Sequence, residues 1–335
     1  MHSRKIGSFS VSALGFGCMN YSMGYGPRSD ENTIKKLLKG ALDQGYTFFD
    51  TAAMYGMGHS EEMIGKYLSS HRSEFTLASK CGIFKNSEGK TEINGHPEVL
   101  QKTCEDSLKR LNTDAIDLYY LHRIDPNVPV EESVGALSKL VEQGKIQGIG
   151  LSEVSSDSLR RAHAVHPIMA LQSEYSLWSR TPERKILATC RELDVGFVAF
   201  SPLARQFLTG KSTDTDTLDQ VTEYENFRAT IARPRFEPAN FKKNTKLLTP
   251  FAEIAKQNGC SMAQLALAWV LAQGEDIIPI PGTSNIAHMT ENAGAGDLKL
   301  LADTIIELDQ LINDETISGA RYSDALMASI DSEKD

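Results

Sequence analysis

Short apolar runs and amphipathic helical stretches alternate from residue 13 to about residue 295 of this 335-residue chain. Eight runs read as strands, at 13–17, 46–49, 75–79, 116–121, 146–151, 170–172, 195–200 and 277–280. They are short and apolar on both faces, as buried parallel strands are. Helical patterns fall between them at 32–44, 60–70, 97–111, 131–143, 156–164 and 182–193. The first shows the logic: Ile34, Leu37, Leu38, Ala41 and Leu42 recur at helical spacing, Asp30 stands as N-cap and Gly45 as the stop. Repeated strand–helix units predict an α/β fold, and eight of them favour a closed (β/α)8 TIM barrel over an open sheet. The stretch from about 202 to 242 is too long for an ordinary βα connection and predicts a long loop after strand 7. It holds Gly210, an acidic run at 214–219 and Ala232-Arg233-Pro234-Arg235-Phe236. From Leu300 a C-terminal helical tail carries Leu301, Ile305, Leu308 and Ile312 on one face, followed by a weakly structured end. No linker interrupts the pattern, so residues 1–335 are expected to form a single barrel domain.

Composition narrows the function classes. A 41% hydrophobic, 24% charged chain is ordinary for a soluble globular protein. A formal net charge of -9 gives no electrostatic reason to expect nucleic acid or an anionic membrane as partner. An anionic ligand would have to meet a local positive pocket. The five cysteines (Cys18, Cys81, Cys104, Cys190, Cys260) are far apart and form no C-x-x-C, which argues against a disulfide framework or zinc site and fits a reducing cytosol. His163 and His166 do not form the H-x-H of barrel metal hydrolases, and no metal is expected. No apolar segment follows Met1-His2-Ser3-Arg4-Lys5 as in a secretory signal, and no run of about 18 apolar residues would span a membrane. A soluble cytoplasmic protein is expected, with nothing in the sequence fixing its oligomeric state.

Four ionisable residues follow consecutive strands: Asp50, Tyr55, Lys80 and His122. At the strand ends of a parallel barrel they would converge on one face. A tyrosine with a pKa near 10 is a poor acid at neutral pH, and a nearby cation lowers that pKa. Lys80 can supply the charge, Asp50 can orient Lys80, and His122 can hydrogen-bond a substrate oxygen. Such a group is suited to delivering a proton to a carbonyl oxygen that gains negative charge. The complementary hydride comes from no side chain, so a nicotinamide cofactor is implied. Taken singly, Asp50 reads first as a turn cap and His122 as a structural histidine, while Tyr55 could be a turn aromatic and Lys80 a solvated strand end or an aldolase-type Schiff-base lysine. Their common placement and order argue for one site.

The surrounding sequence resembles the aldo-keto reductases. Phe49-Asp50-Thr51-Ala52-Ala53-Met54-Tyr55-Gly56 with Ser60-Glu61-Glu62-Met63-Ile64-Gly65 is similar to the family's F-D-T-A-x-x-Y-G…S-E-E-x-x-G pattern. Ser107-Leu108-Lys109-Arg110-Leu111, the stretch from Asp114 to His122, Gly148-Ile149-Gly150-Leu151-Ser152, Gln172-Ser173-Glu174-Tyr175, Ser201-Pro202-Leu203 and Ile280-Pro281-Gly282-Thr283 resemble further blocks, in order. The likeness is to the NADPH-dependent, broad-specificity bacterial and plant subgroup. It implies the barrel fold, reversible reduction of aldehydes and ketones with NAD(P)H, and Tyr55 as proton donor supported by Lys80, Asp50 and His122.

The resemblance also implies where the cofactor lies. No G-x-G-x-x-G is present, so the Rossmann scaffold is excluded. Ser152 and Gln172 match positions that hold the nicotinamide carboxamide, and Phe200 matches the ring that stacks on it. Ser201, Pro202, Leu203 and Arg205 open the loop over the pyrophosphate, with Ala204 where Gly is usual and Glu153 where Asn is common. At the adenosine end, Gly282, Thr283, Ser284, His288, Glu291 and Asn292 match cofactor positions. Ser284-Asn285-Ile286-Ala287-His288 lacks the Lys or Arg that usually binds the 2′-phosphate, though helix N-terminal N–H groups can still bind one. NADPH/NADP+ is therefore expected, with a weaker preference over NADH than in relatives carrying cations there. Met19, Tyr21, Met54, Arg123 and Trp178 are the expected contacts to a small-molecule carbonyl or alcohol substrate. The alternative is a cofactor-binding regulatory subunit with slow reductase activity; a Lys80 aldolase leaves Ser152, Gln172 and the 201–203 block unexplained.

Overall fold

The computed structural model describes residues 1–86, 88, 90–211 and 227–335. Strands β1 (Ser3–Ile6) and β2 (Phe9–Ser12) form an antiparallel hairpin that the sequence reading missed. The barrel strands follow: β3 (Phe16–Gly17), β4 (Phe48–Asp50) and β5 (Thr76–Cys81). A second small hairpin, β6 (Ile83–Lys85) with β7 (Thr91–Ile93), precedes β8 (Ile116–Leu121), β9 (Ile146–Ser152), β10 (Ile168–Glu174), β11 (Gly196–Phe200) and β12 (Ile277–Pro279). The large sheet is parallel, in the order β12-β11-β10-β9-β8-β5-β4-β3. It closes on itself: Gly15 N–H donates to the Pro279 carbonyl at 3.0 Å, Gly17 N–H to Pro281 at 3.3 Å, and Gly17 bridges to Gly282. The expected barrel is present, although only Phe16 and Gly17 of the segment 13–17 form ladder strand.

Helices α1 (Glu31–Asp43), α2 (His59–Leu68), α3 (Pro97–Leu111), α4 (Val130–Glu142), α5 (Ser156–Val165) and α6 (Ile186–Glu192) follow their strands within a residue or two of expectation, save that α6 starts late behind a short 3-10 turn at Thr181–Glu183. Their ends have local causes. Asp30 accepts from the Thr33 N–H at 3.0 Å at the start of α1, and Gly45 takes φ +80 just beyond its end. Pro97 opens α3, and Asn112 at φ 50 closes it. Ile34, Leu37, Leu38 and Ala41 of α1 are buried against the sheet; each large apolar side chain so covered contributes about 1.5–3 kcal/mol.

Several described residues of the long excursion after β11 are packed into the core. The excursion contains a 3-10 turn at Phe207–Thr209, then α7 (Arg233–Phe236) and α8 (Pro238–Asn244), with Arg235, Phe236 and Phe241 buried. The acidic run at 214–219 lies outside the described residues. Helices α9 (Leu248–Gln257) and α10 (Met262–Ala272) complete the last repeat, α10 starting on a capping box of Ser261 and Gln264. Then come α11 (Ile286–Gly294), α12 (Ala302–Leu311) and α13 (Asp324–Ser329). Far from being a loose end, the tail returns over the barrel: Ser332 N–H donates to the Glu153 carbonyl at 3.1 Å, and Asp331 accepts from Ser155.

One apolar cluster fills the barrel interior, including Phe48, Ala78, Leu118, Tyr120, Ala170, Val198 and Ile278, with Ile6 and Val11 of the N-terminal hairpin joining it. Arg4 fixes that hairpin by donating to the carbonyls of Leu271 at 2.8 Å and Gly274 at 2.6 Å. The hairpin occupies the end of the barrel where the strands begin. The opposite end, where they finish, is left for chemistry.

Candidate active site

Asp50 is the last residue of β4, Lys80 is near the end of β5, and His122 directly follows β8. Tyr55 stands in the turn between β4 and α2. The structure brings all four together. Lys80 Nζ donates to Asp50 Oδ1 at 2.5 Å, to the Thr51 carbonyl at 2.7 Å and to the Tyr55 hydroxyl at 3.3 Å. The Tyr55 and His122 rings meet edge to face, with centroids 5.9 Å apart. Gln172 Nε2 donates to Asp50 Oδ2 at 2.7 Å, so a residue expected to serve only the cofactor also fixes the carboxylate that fixes Lys80.

The electrostatics differ in emphasis from the sequence reading. Burial pushes the Tyr55 hydroxyl above its ordinary value near 10, and Lys80 pulls it back only in part. Burial acts to lower the Lys80 pKa, but Asp50 and Tyr55 outweigh it, so Lys80 is held above 10.5 as a cation. Burial, helped by Arg123 and Lys80, holds His122 well below 6.5. At neutral pH the site therefore presents a protonated tyrosine, a buried ammonium and a neutral imidazole. Such a set can hydrogen-bond an uncharged oxygen and hand it a proton as it becomes anionic.

A cavity of about 560 Å³ opens over these groups. Ser152, Gln172, Phe200, Ser201, Pro202, Leu203, Arg205 and Gly282 all line it, as the resemblance implied. Arg123 Nη1 donates to Ser152 Oγ at 3.0 Å and to the His122 carbonyl at 2.6 Å, which ties the Ser152 side to the His122 side. The loop after β11 curls through left-handed backbone at Ser201 (φ 50), Ala204 (φ 50), Arg205 (φ 54) and Gln206 (φ 74). This explains why Gly is usual at position 204; Ala there costs about 1–2 kcal/mol. Gly282 is closely approached: a Cβ there would lie 2.6 Å from Asn20 Oδ1 and 3.0 Å from the Gly17 carbonyl oxygen.

The adenosine end is different. Thr283, Ser284, His288, Glu291 and Asn292 do not line the cavity. Asn285 accepts from the N–H groups of Ala287 at 2.8 Å and His288 at 3.3 Å, so the helix N-terminus expected to meet a phosphate is already capped. A cation absent from the local sequence stands there instead: Lys211 Nζ is 2.8 Å from His288 Nε2 and 3.9 Å from Glu291. Sequence spacing hid it, because Lys211 belongs to the excursion after β11.

Of the expected substrate contacts, Met19, Met54 and Arg123 line the cavity. Tyr21 and Trp178 do not. Tyr21 is fully buried, its hydroxyl shared with Ser60 beneath the 19–29 segment. Trp178 packs against Phe207 at 3.9 Å and lies under the Arg235 guanidinium at 5.2 Å, so it anchors the excursion after β11. Walls missed by the sequence reading include Met23 and Tyr25 after β3, Ile83 and Ile93 of the β6–β7 hairpin, Phe227 and Ile231, and Tyr322, Leu326 and Ile330 of the tail. The hairpin had a signal, two short apolar-polar runs flanking a turn-rich stretch at 86–90.

Glu153, the departure from Asn, has a structural partner. It is buried at φ 56 and accepts from Arg321 at 2.7 and 3.2 Å and from Ser332 Oγ at 2.6 Å. It latches the tail beside Ser152. Among the described residues no group of three or more His, Cys, Asp or Glu could hold a metal ion, and no helix is long and apolar enough to cross a membrane.

Comparison with known proteins identifies the family. The model of the Aldo/keto reductase family matches residues 13–313. A probable aldo-keto reductase 1 of Glycine max is 43% identical over 325 residues, covering 96% of this chain and 92% of that protein. Aldo-keto reductase yakc of Schizosaccharomyces pombe, whose name carries NADP(+), is 43% identical over 326 residues, covering 96% and 94%. The solved glycerol dehydrogenase of Gluconobacter oxydans superposes with a TM-score of 0.83 at 29% identity, covering 92% of this chain and 94% of its own.

Proposed function

Because the chain belongs to the aldo/keto reductase family and is an NADP-dependent oxidoreductase of carbonyl groups, we propose that Tyr55 delivers the proton in that reaction and that Lys80, Asp50 and His122 prepare it. The observation that carries this reading is the chain of contacts Gln172–Asp50–Lys80–Tyr55 at the floor of a cavity also lined by Ser152. Bound in the groove, NADPH supplies the hydride that no side chain holds. The Tyr55 hydroxyl donates to the substrate oxygen as its negative charge develops. Lys80 stabilises the resulting phenolate, and Asp50 and the Thr51 carbonyl keep Lys80 charged and in place. Neutral His122 offers a second hydrogen bond to the same oxygen and restricts where the carbonyl can sit. Met19, Met54 and the tail residues give the substrate end an apolar character, with half-buried Arg123 as its nearby cation.

Ser152 and Gln172 are read as the carboxamide contacts, Phe200 as the stacking ring, and residues 201–203 as the cover of the pyrophosphate. One barrel domain over residues 1–335 holds all of these groups. A reducing cytoplasm suits five free cysteines, four of them buried. The test is a panel of aldehydes and ketones read at the nicotinamide absorbance with NADPH and with NADH, for wild type and Tyr55→Phe. The variant should bind NADPH within about twofold of wild type yet lose about 10²–10⁴-fold in carbonyl reduction. Wild-type turnover in Tyr55→Phe would remove Tyr55 as the acid.

A further inference from the structure

We propose that Arg205 is a positioning residue that knits the walls of the substrate end together, rather than a ligand of the cofactor phosphates. This rests on reading the cavity as a carbonyl-reducing site.

Arg205 lies in the loop expected to cover the pyrophosphate, but its side chain turns into the protein and is 6% exposed. Nη2 donates to Glu174 Oε2 at 2.8 Å and to the Tyr322 hydroxyl at 2.9 Å. Nη1 reaches the Tyr25 hydroxyl at 3.4 Å. The Tyr322 hydroxyl itself donates to Glu174 Oε2 at 2.8 Å, and the guanidinium lies 5.4 Å from the Tyr322 ring centroid. Three partners thus come from three segments: the one after β3, the end of β10, and the C-terminal tail.

Tyr25 and Tyr322 both line the cavity. Tyr25 also meets Phe227 edge to face at 5.8 Å, and Phe227 N–H donates to the Gly24 carbonyl at 2.9 Å. Phe227 is therefore joined to the same group through Tyr25. A planar guanidinium suits this because it offers several donors in fixed directions at once. Both Nη2 hydrogens are engaged. Swinging Arg205 onto a phosphate would strip Glu174 of its nearest counter-charge, leaving a buried carboxylate poorly compensated. The other cations acting on Glu174 are Arg321 and Arg235.

The two roles separate in the affinities. In Arg205→Lys the charge remains but one ammonium cannot hold three segments in a fixed plane. NADPH dissociation, followed by fluorescence, should move by less than about twofold, while KM for a bulky aryl ketone rises about tenfold and KM for a small aldehyde rises less. Equal weakening of NADPH and ketone, or of NADPH alone, would show a phosphate ligand and overturn the proposal. Tyr322→Phe removes one hydroxyl and leaves the charges intact, so it tests the same link should the first variant fold poorly. It should raise KM for the bulky ketone about threefold with NADPH affinity unchanged; an unchanged KM would overturn the proposal. Absence of any NADPH-dependent reduction in wild type would instead strike the reading on which this rests.

Discussion

The Lys80 ammonium stands 3.3 Å from the Tyr55 hydroxyl with its other contacts buried beneath it. Lys80 belongs to β5 and Tyr55 to the turn after β4, neighbouring strands of the barrel, so the contact follows from parallel pairing and the shared face of the strand ends. What the barrel adds is enclosure. The Lys80 side chain is 0% exposed, a position a lysine occupies only with a partner. Asp50 is that partner, and the pair holds a fixed positive charge against the phenol.

Removing the cation should separate chemistry from stability. Lys80→Met leaves Asp50 buried without counter-charge, which costs about 3–5 kcal/mol. Carbonyl reduction should fall by about 10²-fold or more. Lys80→Met with Asp50→Leu should recover most of the lost stability in urea melts and none of the activity. Recovery of turnover in the double variant would show that Lys80 is only structural.

The pH dependence has a definite sign. In the proposed role Tyr55 must be protonated for reduction, and burial holds its pKa above the ordinary 10, so kcat/KM for reduction should stay flat through neutral pH and fall only above about pH 10. Alcohol oxidation needs the phenolate and should rise with pH over the same interval. His122 stays neutral, so no inflection near 6.5 should belong to it. An acid limb near 6.5 that disappears in His122→Gln would contradict this.

Glu174 should govern acid stability. Its folded pKa is drawn down to about 2 from an ordinary 4.5, burial being outweighed chiefly by Arg205 and Arg321. Below 4.5 the unfolded chain binds a proton that the folded chain does not, so this contribution is complete above 4.5 and disappears as pH falls towards 2. Glu174→Gln should be less stable at pH 7 and show a shallower loss between pH 4.5 and 2, read by urea unfolding across that range. An unaltered slope would place the acid sensitivity elsewhere.

At the adenosine end, Lys211 and position 284 should set the choice of cofactor. Lys211→Ala should weaken NADPH by about 1 kcal/mol, roughly fivefold, and leave NADH almost unchanged. Ser284→Lys should tighten NADPH more than NADH. Equal shifts in both dissociation constants would show that neither residue senses the 2′-phosphate.

Gly150 should tolerate no side chain. A Cβ there would lie 2.3 Å from the Tyr120 ring, which packs in the barrel interior with the Lys80 ammonium 5.8 Å from its centroid. Gly150→Ala should cost about 1–3 kcal/mol in chemical denaturation. No loss would mean that the ring moves aside freely.

The barrel was legible because its signals are local. Each strand reads as a run of a few apolar residues, and each helix as a 3.6-residue repeat with Asp30, Pro97 or Gly45 marking an end. Asp50, Lys80 and His122 were legible for the same reason, since a residue at a strand end is on the C-terminal face whatever the rest of the chain does. The residues at 152, 172 and 200–203, which the resemblance marked for the cofactor, line the cavity. The sequence thus carried the architecture and the reaction class, and placed the four ionisable residues that the structure brings together.

Which side chains face the open space was decided only in three dimensions. Tyr21 and Trp178 look like pocket aromatics along the chain, but burial of their surface under neighbouring segments makes them anchors. Tyr322 reaches the cavity because Arg205, 117 residues away, and Glu174, 148 away, hold its hydroxyl. Arg205 meets Tyr25 across 180 residues. No local pattern encodes such meetings; they arise when closure of the barrel brings strand ends, excursion and tail over one face. Sequence placed the ionisable residues at the strand ends, and tertiary packing decided their protonation and the shape of the chamber around them, because position at a strand end is set locally whereas burial and a cavity depend on what distant segments cover or leave unfilled.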